Sequence, residues 1–149
     1  MPTLTYDPVE LARQYLFVRE AGANHGQRVN AIQKWSGGAD GESWCMYFAT
    51  MVLDIAFQGN APIAREGSCE AVHQIAVAQE WVADAPSIGD LVLTVNADNY
   101  AHHVGIVSNL NPLESIAGNT SEDGVSSNGD RVAEHAIAPA GKVFVHYPR

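Results

Sequence analysis

The 149-residue sequence predicts an α+β fold, with helices first and an antiparallel sheet of about five strands after them. Two observations carry that expectation. Up to about Gln79 the apolar residues recur at intervals of three and four, the period of helices with one buried stripe. From Pro86 onward, glycine punctuation and β-branched runs replace that period, and nothing alternates strand with helix as a parallel sheet would require. The length suits one domain with one core, over residues 1–149, with no linker or repeat to divide it.

Each element has its own signal. Asp7-Pro8 caps a helix whose apolar positions run Val9, Leu11, Ala12, Tyr15, Leu16 and Val18 to a stop near Gly22. A short helix over Arg28–Trp35 precedes a loop, Ser36–Gly41. The central helix is expected over Ser43–Phe57, and a fourth, capped by Ser68, over Ser68–Gln79. Strands are expected at Asp90–Val95, His103–Val107, Glu114–Ala117, Arg131–His135 and Lys142–His146, with loops at Asn96–Tyr100, Asn109–Pro112 and Gly118–Asn128.

Composition excludes some functions. A formal charge of −9 leaves no basic face to neutralise phosphates, which argues against nucleic acid or an anionic membrane as partner. The most apolar run, Met46–Phe57, is interrupted by Thr50 and Asp54 and falls short of the roughly 20 residues that cross a bilayer. The first residues lack the basic start and apolar stretch of a secretory signal, so synthesis in the cytoplasm is expected. Two cysteines make no disulfide framework.

Three places could carry chemistry. Cys45 sits at the start of the most hydrophobic helix, where unpaired N–H groups and the positive end of the dipole favour a thiolate; as a small apolar residue it could equally serve the core. A strand then opens with His102-His103, and strict alternation places His103, Gly105 and Val107 on one face and His102, Val104 and Ile106 on the other. A base beside a thiol needs one ring nitrogen on the sulfur and the other held by an acceptor. Asn119, where a further strand meets Gly118, could be that acceptor or an ordinary turn residue.

Trp44-Cys45, Pro86-Ser87-Ile88-Gly89-Asp90-Leu91-Val92-Leu93, His103-Val104-Gly105-Ile106-Val107 and Gly118-Asn119-Thr120 stand in the order of the blocks of the NlpC/P60 and CHAP cysteine peptidase superfamily, which the chain resembles over about residues 40–137, the helices of 1–39 lying outside. The resemblance implies a papain-like fold with Cys45 as nucleophile, His103 as general base and Asn119 as the group orienting it. Trp44 and His102 are the expected substrate contacts, and Gly89-Asp90 is a structural turn. Many members carry Glu two residues before the Asn; Ala117 stands there, so the third role falls on Asn119. The implied activity is hydrolysis of amide bonds in peptidoglycan, in the stem peptide or cross-bridge or between sugar and stem. It needs no cofactor or metal.

Zinc is the first rival, from Cys69 and His73 at i, i+4 with His102 and His103; without it Cys69 is a packing residue. Calcium at Asp40-Gly41-Glu42 is thinner, since such sites gather about 6–8 oxygens. A non-catalytic binding module is the third. As an enzyme, the protein is expected to reach the wall or periplasm after release as a phage endolysin or after injection as an effector. The absence of a wall-binding repeat and the acidic charge lean toward thin, periplasmic peptidoglycan, and an effector would call for a basic immunity protein. Specificity is expected from the loops Asn96–Tyr100 and Ser121–Asn128.

Overall fold

The computed structural model describes residues 3–121 and 129–149. Its helices are α1 (Pro8–Arg13), α2 (Gln27–Trp35), α3 (Cys45–Ala56) and α4 (Cys69–Ala78); its strands are β1 (Val82–Ala83), β2 (Leu91–Val95), β3 (Ala101–Leu110), β4 (Leu113–Thr120), β5 (Arg131–Ala136) and β6 (Lys142–Val145). The strands form one antiparallel sheet in the order β1-β6-β2-β3-β4-β5. The α+β expectation therefore holds, with a two-residue strand, β1, added at the edge.

Helix α1 is capped as its sequence demands: the Asp7 carboxylate accepts from Val9 N at 2.9 Å, and Pro8 takes the first position. It stops at Arg13, well before the expected end. Val18 and Glu20 are drawn into extended pairing beside β5, where Val132 N donates to Val18 O and Glu20 N to Asp130 O. Helical dihedrals there would forfeit those bonds. Helix α3 begins at Cys45, two residues later than expected, with Trp44 as its N-cap residue, so Cys45 is its first residue.

The helices cover one face of the sheet. Ala49, Val52 and Leu53 of α3 share a core with Leu91, Leu93, Val104, Ile106, Ile116 and Val145, while Val92, Val107 and Phe144 form a small cluster apart. The alternation expected for β3 thus separates Val107 from Val104 and Ile106. It fails at His103, because the register between β2 and β3 shifts at Thr94/Val95, opposite Ala101 and His103. Such a bulge re-aims a side chain. His103 reaches the thiol of α3, on the side to which Ala101 and Val104 contribute.

Strands β3 and β4 run longer than expected. The loop expected from Gly118 begins later, since Gly118–Thr120 continue β4; its part over 122–128 lies outside the described residues. Asp90 is fully buried and joins the chain's end to the start of β2: its carboxylate accepts from Ser87 N, His146 Nδ1 and Arg149 Nη2, each at 2.8 Å. Gly89 (φ 92°) makes the preceding turn, consistent with the structural role expected of this pair.

Gly118 sets how closely α3 lies on β4. A Cβ added there would stand 2.8 Å from both Phe48 Cβ and Trp44 Cζ3. Gly118→Ala should therefore lower stability by about 1–3 kcal/mol through overpacking, read as an earlier denaturant midpoint with unchanged slope; an unchanged midpoint would contradict this packing.

Candidate active site

Two helix starts converge at the centre of the molecule. Cys45 is the first residue of α3 and Cys69 the first residue of α4, and their sulfurs lie 3.6 Å apart. Both are buried, at 4% and 7% exposure, and both are free thiols. Each helix start directs unpaired N–H groups and a positive dipole end toward this place, which favours negative charge on sulfur.

The charge settles on Cys45. Its thiol is held well below the ordinary range, first by the hydrogen bond from Cys69, against the opposing effect of burial, and then by the adjoining His103 imidazole and the N–H of Met46. Cys69 is pushed the other way, by its bond to Cys45 and by burial, and keeps its proton. The arrangement is a depressed thiol between a second thiol and an imidazole. Cys69, expected to be a packing residue, follows the cap Ser68 just as Cys45 follows Trp44. The signature of a helix-start thiol was written twice.

His103 is 8% exposed, and its Nδ1 is buried without a hydrogen-bond partner among the described residues. The contacts described for Asn119, the expected orienting group, run to the entry of α3 and to the segment after α1. Continuing the register of Ile106 with Ile116 would set Asn119 opposite His103, but the recorded ladder stops at that pair. A further shift lies between Ala117 and Thr120 against β5, and Asn119 takes a left-handed conformation (φ 52°). With the amide turned so that both its ends are satisfied, its oxygen accepts from Ser43 Oγ at 2.8 Å, and its nitrogen donates to Gly129 O at 3.0 Å and Glu20 Oε1 at 3.3 Å.

Trp44 belongs to the same cluster and is not placed to contact substrate: it is fully buried, with its indole N–H donating to Glu20 Oε1 at 2.8 Å. Asn119, Glu20, Ser43 and Trp44 together fasten the entry of α3 to β4 and to the segment after α1. They fix where α3 begins, and so the place of Cys45. His102 is exposed at the bulge beside the site. No sequence signal marked Glu20 or Ser43, which meet Asn119 only through the fold.

Glu70, next to Cys69, makes a comparable tie on the other side. Its Oε1 accepts from Ala101 N at 2.9 Å and stands 3.0 Å from His73 Nδ1, and its Oε2 accepts from Gln74 Nε2 at 2.5 Å. The Ala101 N–H, then Gln74 and His73, hold its carboxyl down at about 2. The bond joins the first turn of α4 to the start of β3, two residues before His103.

The groups named for zinc and calcium have other partners among the described residues. Cys69 faces Cys45, and Glu70 occupies His73, so the pair does not converge as zinc ligands. Glu42 is spent on Ala39 N and the Tyr47 hydroxyl, and Asp40 faces Lys34 at 3.7 Å. Among the described residues no group of three or more His, Cys, Asp or Glu is placed to hold a metal ion. A recess of about 180 Å³ between α2 and α3, lined by Tyr15, Arg28, Trp35 and Met51 among others, includes none of the thiol and imidazole groups. No helix is long and apolar enough to cross a membrane among the described residues. No family model, curated protein or solved structure matches the chain.

Because the folded-state value of Glu70 lies below the ordinary 4.5, its stabilising contribution is whole above that pH and is lost as pH falls toward about 2. The melting-temperature gap between the native protein and Glu70→Gln should be widest near about pH 6–7 and close below about 4.5. A gap independent of pH would contradict a charged tie.

Proposed function

We propose that the protein is a cysteine hydrolase cleaving amide bonds of peptidoglycan peptides, on a papain-like arrangement of the NlpC/P60 and CHAP kind. The observation that carries the reading is the placement of Cys45 as the first residue of α3 with the imidazole of His103 adjoining it. The peptidoglycan substrate itself rests on the sequence resemblance.

In this mechanism the Cys45 thiolate adds to the scissile carbonyl, and the oxyanion is received by unpaired N–H groups in the first turn of α3. The His103 imidazolium gives its proton to the leaving amine as the carbon–nitrogen bond breaks, leaving an acyl thioester on Cys45 and a neutral ring. The ring then takes a proton from water. The resulting hydroxide equivalent displaces the thiolate, releasing the acid and restoring the thiolate–imidazolium pair. Cys69 and the cluster around Asn119 hold the nucleophile in place and take no proton in these steps.

A soluble protein charged −9 gains no long-range attraction to an anionic wall, so delivery or contacts within the site must bring it to substrate. An endolysin released at lysis fits, as does an injected effector, whose acidic surface would suit a basic immunity protein. A binding module on the same fold is the second reading, favoured by the 4% exposure of Cys45, which is low for a nucleophile.

Digestion of purified peptidoglycan with mass spectrometry of the fragments tests the proposal. New amines within stem or cross-bridge indicate an endopeptidase; sugar chains freed of intact stems indicate an amidase. Cys45→Ala should reduce turnover to background, and His103→Ala should lower it about 10²–10⁴-fold. Full activity of Cys45→Ala would remove the nucleophile. Rapid alkylation of Cys45 by iodoacetamide near about pH 6 separates the enzyme from the binding module, in which the thiol should react slowly.

A further inference from the structure

The hydrolytic steps use one thiol, yet the fold brings two together. Cys45 and Cys69 come from different helices, 24 residues apart in sequence, and neither needs the other for packing alone: a small apolar residue would fill either place. Their sulfurs are 3.6 Å apart, so a bond of about 2.05 Å requires an approach of roughly 1.6 Å. Each cysteine is the first residue of its helix, where the side chain has no preceding helical turn beneath it to block rotation about Cα–Cβ.

We propose that Cys45 and Cys69 form a peroxide-responsive pair, closing to a reversible disulfide that protects Cys45 from irreversible oxidation and holds it out of reaction. Peroxide is the oxidant. The Cys45 thiolate attacks one peroxide oxygen, the O–O bond breaks, hydroxide leaves, and Cys45 becomes a sulfenic acid. The Cys69 sulfur then attacks the Cys45 sulfur, the S–O bond breaks, and the proton of Cys69 leaves with the hydroxyl as water. A dithiol such as dithiothreitol reverses the state by exchange, restoring both thiols and becoming a disulfide itself. Attack needs a thiolate with a second thiol at hand, and the pair supplies both. The loss of hydrolysis on oxidation rests on the reading of Cys45 as nucleophile; the disulfide chemistry does not.

Trypsin separates the two residues, because Lys34, Arg65 and Arg131 bound consecutive peptides, 35–65 with Cys45 and 66–131 with Cys69. The reduced full-length chain, dilute and exposed to one equivalent of hydrogen peroxide, should be capped with iodoacetamide, digested without reductant and weighed. The expected result is one species joining the two peptides, lighter than their sum by two hydrogens, from a chain that runs as a monomer on a non-reducing gel. Dithiothreitol should restore the separate peptides. Separate peptides with Cys45 carrying two or three oxygens and Cys69 alkylated would overturn the proposal, as would a disulfide found only in a dimer. Cys69→Ser should convert oxidation of Cys45 from reversible to irreversible, and reversible protection in that variant would equally overturn it. If peptidoglycan is untouched by the reduced protein, the hydrolase reading fails while the peptide map still decides the pair.

Discussion

Tyr47, two residues beyond Cys45, is wedged between Gly38 and Gly67, so closely that a Cβ on either glycine would enter its ring. Gly38 lies in the loop before α3, and Gly67 lies immediately before the cap of α4. One aromatic side chain therefore fixes both approaches to the two cysteines. Its hydroxyl donates to Glu42 at 2.9 Å. Thr50, one turn further along α3, repeats the tie: its Oγ1 donates to Glu66 O at 3.1 Å and accepts from Glu66 N at 3.3 Å. The convergence of two positive helix ends on one pair of sulfurs depends on these contacts.

The sheet supplies the third member through irregularity. A regular β3 would carry His103 away from the helices, and a regular β4 would carry Asn119 toward it. Register shifts interrupt both strands near these residues. The imidazole adjoins the thiol, and the amide is tied to Ser43, Gly129 and Glu20. The Glu70–Ala101 bond then holds α4 to the start of β3, so that the segments carrying Cys45, Cys69 and His103 are braced pairwise.

Local signals made much of this legible in advance. Asp7-Pro8 and Ser68 marked helix starts, the helical period found α3 and α4, and β-branched runs found β2, β3 and β6. Cys45 and His103 stood out because a thiol at a helix start and a histidine at a strand start are each defined by local chain position. What escaped was set by non-local pairing. Helix α1 ends early because β5 competes for the backbone of Val18 and Glu20. The partners of Asn119 follow from a register shift that no periodicity records. Trp44 resembled a site residue by adjacency alone, while burial beneath Gly118 makes it part of the frame.

Sequence spacing within the site also has a bearing on when it comes into being. Cys45, Cys69 and the strand carrying His103 are distributed across more than a third of the chain, and β3 finds its place only by pairing with β2 and β4. Non-local strand pairing is slow relative to helix formation. During synthesis Cys45 emerges before both Cys69 and the imidazole that will adjoin it, so the groups that lower its thiol are complete only when all three segments are in place. The depressed thiol is thus a property of the finished fold as well as of its helix.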